Sequence, residues 1–334
     1  MAIAVLLFIL GLALLIKGGD WFVDGAERIA RRFQIPELLI GATVVSIGTT
    51  LPEVLVSATS ALEGHGELAY GNAVGSIICN TSLIAALTVA IRPAGIQRKS
   101  LILPVAFYFA AAGFYAAVAY GMGEFTRPSG LVLLGTFVFY MVIVIRQGIQ
   151  EAEHQASARV TEWSESKKKI KKAVKEVPAP LWKDLLLLVV GAVLVAVGAN
   201  LLVENGTLIA QRLGVPESVI GLTFVALGTS LPELVTAITS LAKGHGALSL
   251  GNVIGANLFN LVLVGGLSIT LNPFALPAEK HLFGRNASLV LDLPLIFITM
   301  GILTIPALLK GKLSRWQGIL LLAIYGCFSV IQFI

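Results

Sequence analysis

The chain has 334 residues, 56% of them hydrophobic and only 13% charged, with a formal net charge of +5. A water-soluble domain carries roughly 25% charged residues, so this chain cannot cover its own surface in water. Runs of about 20 apolar residues, the length of a bilayer-spanning helix, recur along it, and the expectation is an all-α integral membrane protein.

Ten spans are predicted, near 2–28, 37–62, 69–91, 100–121, 129–147, 184–210, 217–242, 248–271, 287–308 and 315–334. The first run, Ala2–Ile16, lacks a basic stretch before it and a clean small-residue cleavage site after it, so it is expected to stay as a helix rather than leave as a signal peptide. A polar stretch from Gln147 to Lys183, closed by the stiff Pro178-Ala179-Pro180, separates two sets of five spans. The expected division is residues 1–148 as a first five-helix repeat, 149–181 as a cytoplasmic linker and 182–334 as a second repeat. With the N-terminus outside and the spans alternating, 19 Lys and Arg fall in inside loops and 4 in outside loops. That is the sign of the positive-inside rule. It accounts for the basic balance without a nucleic-acid partner. Cys79 and Cys327 both lie in apolar spans, so neither a disulfide framework nor a CxxC metal pair is expected.

The segment Pro36–Asn80 repeats as Pro216–Asn260 at a fixed offset of 180, with 21 identities in 45 pairs. Because each half holds five spans, an odd number, the second half must enter the membrane from the opposite face. The repeats are therefore expected to be inverted, with a site near the midplane where they meet.

Each copy carries one acid inside an apolar stretch, in Gly48-Thr49-Thr50-Leu51-Pro52-Glu53 and in Gly228-Thr229-Ser230-Leu231-Pro232-Glu233. On a helix, Thr49 and Glu53 share a face with Thr50 beside them. Proline has no N–H for the carbonyl four residues back and glycine loosens the backbone, so helices 2 and 7 are expected to be broken there and to meet at the midplane. Such breaks are tolerated at membrane depth where they line a cavity. The ligand set is all oxygen, which suits hard cations; Ca²⁺ takes roughly 6–8 oxygens. Two glutamates would neutralise one Ca²⁺, or serve two or more Na⁺. Without Cys or His nearby, a soft transition metal is disfavoured, and acids inside a membrane read as functional.

The next span of each copy holds Gly71-Asn72-Ala73-Val74-Gly75-Ser76 with Asn80, and Gly251-Asn252-Val253-Ile254-Gly255-Ala256 with Asn260. Asn72, Ser76 and Asn80 form one polar stripe. The glycine pairs allow close helix approach, with interhelical hydrogen bonds from Asn72 and Asn252 as one reading and cavity lining as the other. Ser76, Asn80 and Asn260 are expected to line the cavity. Asp20 and Asp24, repeated as Asn200 and Glu204, either guide ions or sit at an interface, and His65 and His245 occupy matching Gly-His-Gly turns.

These motifs resemble the two alpha-repeats of the sodium/calcium exchanger family, within the cation/Ca²⁺ exchanger superfamily. The resemblance implies antiport of Ca²⁺ against Na⁺ across the plasma membrane by alternating access, with no cofactor. It implies a central Ca²⁺ site of Glu53, Glu233, Thr49 and Thr229. It implies flanking Na⁺ sites from Thr50, Ser230, Ser76 and the carbonyls of Ser46 and Ala226. It also implies that the two long first helices of the halves slide against the rest. The chain departs from the family pattern with Thr50 and Ala256 where serine is usual, and with asparagine at both 80 and 260.

A Ca²⁺/H⁺ antiporter of the same fold is the alternative, since two carboxylates sharing a low-dielectric site repel and one proton relieves them. A channel uses the same ligand chemistry. An intramembrane enzyme is a further class, but no HExxH or G-x-S-x-G motif is present. Nor is there a P-loop for an ATP-driven pump. A monomer in the lipid bilayer is expected.

Overall fold

A computed structural model describes residues 2–33, 35–93, 95–165, 180–213, 228–278, 281–282 and 284–333. Ten helices follow in chain order among the described residues. They are α1 Ala2–Phe33, α2 Glu37–Leu62 and α3 Gly66–Ile91, α4 Arg98–Met122, α5 Arg127–Glu165, α6 Leu181–Arg212, α7 Leu231–Ala242, α8 Gly246–Leu271 and α9 Ser288–Lys310, and α10 Arg315–Phe333. Eight are long and apolar enough to cross a membrane, and α7 and α10 are shorter apolar helices. The chain is a multi-pass membrane protein.

Two boundaries differ from expectation. Helix α5 runs on to Glu165, past the end expected at 147 and across the expected start of the linker. The added residues are rich in Glu, Gln and Ala, which propagate a helix once it has begun. The linker's remainder at 166–179 and the first half of the seventh span, 214–227, lie outside the described residues.

The expected break also takes different forms in the two copies. In the second, a turn at 228–230 precedes α7 and the Gly228 carbonyl accepts from Leu231 N–H at 3.3 Å. In the first, α2 is helical from Ser46 through Pro52 to Leu62, so no break occurs there. The cost at Pro52 is confined to one missing donor, and packing against α8 holds the helix on both sides of it. The irregularity in α2 is instead a π turn at Gly41–Val45. Matching π turns head Asn80–Ala85 in α3 and Asn260–Gly265 in α8. Such turns recur at functional sites.

The inversion of the repeats is visible where their first helices meet. A β-carbon on Gly11 would lie 2.9 Å from the Gly198 carbonyl oxygen, one on Gly18 2.8 Å from the Val195 amide, and one on Gly25 2.6 Å from the Leu188 amide. As numbers rise along α1 they fall along α6, so the two helices are antiparallel. Only glycine allows backbones this close. The buried Asp184 then clamps one end, accepting from Arg32 Nη2 at 2.7 Å.

A second seam joins α2 to α8. Gly251 abuts the Leu38 carbonyl and Gly255 abuts Ser46 Oγ, as the small-residue spacing predicts. Around Gly71 and Gly75 an added β-carbon would meet no described atom within 4 Å, so the same expectation is not met there among the described residues. Helices α3 and α8 are the most buried of the spans. The repeats are further stitched where β1 Glu124–Phe125, between α4 and α5, pairs antiparallel with β2 Phe274–Ala275, between α8 and α9.

Candidate functional site

Glu53 on α2 and Glu233 on α7 are both fully buried. None of their four carboxylate oxygens has a hydrogen-bond partner, although the two groups are near enough to repel. Thr49 and Thr50 stand beside Glu233 without completing a hydrogen bond to it. Two enclosed, unpartnered carboxylates are costly in a low dielectric. Around them, Thr50 Oγ1, Ser230 Oγ and both side-chain polar atoms of Asn80 and of Asn260 are likewise buried without partners. This concentration of orphaned oxygens at the junction of the repeats fits a hard cation. No group of three or more His, Cys, Asp or Glu is arranged to hold a metal ion among the described residues, so a cation held here would depend on hydroxyl, amide and carbonyl oxygens beyond the two carboxylates.

The two asparagines of the glycine-asparagine motifs cross-link the repeats. Thr49 Oγ1 donates to Asn252 Oδ1 at 3.2 Å, and Thr229 Oγ1 donates to Asn72 Oδ1 at 3.3 Å. Both bonds map onto each other under the offset of 180. Each motif threonine is therefore aimed by an asparagine of the opposite repeat, which settles Asn72 and Asn252 as interhelical bonding groups. The offset also explains one asymmetry. Asn72 Nδ2 donates to Ser57 Oγ at 2.8 Å, whereas the position matching Ser57 is Ala237 and Asn252 Nδ2 is left without a partner.

The remaining expected residues fall as follows. Ser46 is buried; its hydroxyl lies 2.7 and 2.9 Å from the Gly41 and Asn252 carbonyl oxygens and donates its one hydrogen between them, and its own carbonyl lies 3.4 Å from Thr49 Oγ1. Ser76 is buried on α3 one turn before Asn80, and Ala256, its counterpart, is buried on α8. Ala226 lies outside the described residues. Thr229 is only half-buried, while Thr49 is nearly enclosed. Gly48 is required by α1: a β-carbon there would lie 2.8 Å from Phe22 Cζ, so Phe22 of the peripheral helix seats directly on the site motif. Sequence reasoning gave Cys79 no role, yet its buried thiol stands beside Ser230 and Tyr325 at the edge of this cluster. Its adjacency to Asn80 was the available signal.

Replacing Thr49 by valine removes one hydroxyl from the cluster and leaves Asn252 Oδ1 without its donor. The expected result is a loss of about 1–3 kcal/mol of stability, the cost of a buried acceptor left without its donor, read from the melting curve in detergent. An unchanged melting curve would mean that the bond to Asn252 does not support the fold.

A helical bundle of two antiparallel repeats that encloses unpartnered carboxylates at their junction has the architecture of a secondary transporter. A family model described as sodium/calcium exchanger protein matches residues 3–146 and 183–334, and the chain belongs to the sodium/calcium exchanger family. It is 36% identical to an uncharacterised membrane protein of Methanocaldococcus jannaschii, over 95% of this chain and 94% of that one. It is 28% identical to the sodium/calcium exchanger MaX1 of Methanosarcina acetivorans, over 98% of each. Its fold matches the structure of the sodium-calcium exchanger NCX_Mj soaked with Na⁺ and Sr²⁺, with a TM-score of 0.77, 33% identity and 97% of each chain covered.

Proposed function

We propose that this protein is a secondary antiporter that exchanges Ca²⁺ for Na⁺ across the plasma membrane by alternating access. The observation that carries the reading is the pair of buried carboxylates, Glu53 and Glu233, contributed by matching positions of two inverted repeats with all four oxygens unpartnered. Their charge balances one Ca²⁺, with Thr49 and Thr229 completing the central site. Na⁺ uses Thr50, Ser230, Ser76 and the carbonyls of Ser46 and Ala226, and Asn80 and Asn260 line the cavity. Binding of one cargo excludes the other because both draw on the same carboxylates, which is the basis of exchange. The α1–α6 pair moves against the rest, carrying Phe22 on and off the site motif. The N-terminus lies outside, residues 149–181 form the cytoplasmic linker between the five-helix repeats 1–148 and 182–334, and the unit of function is the monomer.

The test is a gradient swap in liposomes holding purified protein. Ca²⁺ uptake against its own gradient is expected when Na⁺ is loaded inside, and is expected to stop when Na⁺ is replaced by an impermeant cation. Uptake driven instead by a pH gradient alone would overturn Na⁺ coupling in favour of H⁺. Flux that never accumulates Ca²⁺ would indicate a channel.

A further inference from the structure

Among the described residues, charge holds the α1–α6 pair to the rest of the bundle at the linker end. The turn between α7 and α8 carries Lys243, Gly244 and His245, and Gly244 takes φ +90, which glycine adopts without strain. From this turn Lys243 Nζ reaches Asp24 Oδ1 at 2.7 Å, Asp20 Oδ1 at 3.3 Å and the Asp20 carbonyl at 3.0 Å, all on α1. His245 lies between two carboxylates, with Nδ1 3.0 Å from Glu37 Oε1 and Nε2 3.5 Å from Glu27 Oε2. One turn thus grips α1 at Asp20, Asp24 and Glu27 and grips α2 at Glu37.

The inverted repeat provides an internal control at the opposite end of the bundle. Under the offset of 180, Lys243 becomes Glu63, Asp20 becomes Asn200 and Asp24 becomes Glu204. The cation is replaced by an acid, and one of its two acidic partners is kept as an acid. No ion pair can form from those types, and like charges repel there. The exposures agree: Glu63, His65, Asn200 and Glu204 are exposed, whereas Lys243 and His245 are half-buried. The backbone turns themselves match closely, with Gly64 at φ +87 and the His65 and His245 amides bonded to the Ser60 and Ser240 carbonyls at 2.8 and 2.7 Å. The two turns therefore differ in side-chain charge and not in backbone geometry.

We propose that Lys243 and His245 are positioning residues that latch the α1–α6 pair shut at the linker end of the bundle, so that the opposite mouth is the one open at rest. This inference rests on the alternating-access reading above. Opening at the linker end requires Lys243 to leave both aspartates, whereas Glu63, Asn200 and Glu204, the counterparts of that cluster at the opposite end, form no ion pair with one another. The latch thereby sets which face of the membrane meets the higher-affinity site, since apparent affinity scales with the fraction of protein already open to that face.

The experiment compares Lys243→Glu with the charge-swapped pair Lys243→Glu/Asp24→Lys in the full-length protein. Hydrogen exchange of purified protein is expected to speed up about fivefold across residues 17–33 in Lys243→Glu, the scale of a partly exposed ion-pair network. Amides of α3 and α8 are expected to keep wild-type protection, and the charge-swapped pair is expected to restore residues 17–33. In sided vesicles, the same single variant is expected to lower the Ca²⁺ concentration for half-maximal transport from the linker face by a similar factor. Wild-type exchange across 17–33 in Lys243→Glu overturns the latch. So does equal acceleration in α3 and α8, which would make Lys243 a general stabiliser, and so does failure of the swapped pair to restore protection. The exchange measurement needs no ion gradient, so a failure of Na⁺/Ca²⁺ coupling in the gradient swap would overturn the transport reading and leave this result to be judged separately.

Discussion

Glu53→Gln and Glu233→Gln are each expected to abolish Na⁺-driven Ca²⁺ uptake and, without ions, to melt at a higher temperature than the wild type. Both effects come from one cause. The wild-type fold encloses two carboxylates whose oxygens have no partner, and such a charge costs several kcal/mol unless a cation offsets it. An amide of the same shape removes that cost, so the ion-free protein gains stability. Under the proposed function, the same change removes half of the negative charge that balances Ca²⁺, in a site where the other proposed ligands are neutral. A loss of at least about 100-fold in apparent affinity follows, since removing one partner of a buried charged contact costs about 3–5 kcal/mol. The paired measurement is a melting curve with and without Ca²⁺. Wild-type protein is expected to gain stability on adding Ca²⁺, by about 2.7 kcal/mol at 100 times the dissociation constant, and the variants are expected to show a flat response. A variant that melts lower without ions and still responds to Ca²⁺ would place the cation elsewhere. This opposition between stability and function is common at sites built for charge.

The candidate site was legible in the sequence because duplication marked it twice. One acid in an apolar stretch is ambiguous, but Glu53 and Glu233 in matching Gly-Thr-x-Leu-Pro-Glu frames with five spans per half force an inverted pair. The glycine seam of α1 and α6 was equally available and went unused. Gly11, Gly18 and Gly25 recur every seven residues, and Gly11 and Gly18 reappear at the offset of 180 as Gly191 and Gly198. Seven residues is two helical turns, so these glycines share one face. What could not be read is of a different kind. Whether Pro52 ends a helix or sits inside one depends on how firmly α8 supports the backbone around it, which is a matter of packing rather than local preference. The contact of Lys243 with Asp20 and Asp24 joins residues more than two hundred positions apart across two repeats. The sequence offered Asp20 and Asp24 as ion guides or interface acids, and the structure makes them interface acids through a lysine that carried no local signal.

The seam makes the other large prediction. Gly191→Leu is expected to lower the melting temperature by about 4 °C, the shift that about 3 kcal/mol produces in a chain of this size, and to eliminate transport. The reason lies in what a side chain at 191 would meet. Its β-carbon would fall 2.7 Å from Phe22 Cα and 2.9 Å from the Gly18 carbonyl, which are backbone atoms and cannot rotate away. Helix α1 would have to withdraw from α6, and Phe22 would withdraw from Gly48 with it, since the same helix turn holds both contacts. Overpacking at a yielding side chain costs about 1–3 kcal/mol, and an unyielding backbone places the change at or above the top of that range. Val193→Leu on the same helix is the control, because Val193 is exposed away from the seam and a larger apolar side chain there changes no backbone contact. Equal melting of Gly191→Leu and wild type would mean that α1 and α6 are not in close apposition. Gly191→Ala brings the same β-carbon against the same backbone atoms and is expected to destabilise too, by less than Gly191→Leu, whose three further carbons add to the overlap.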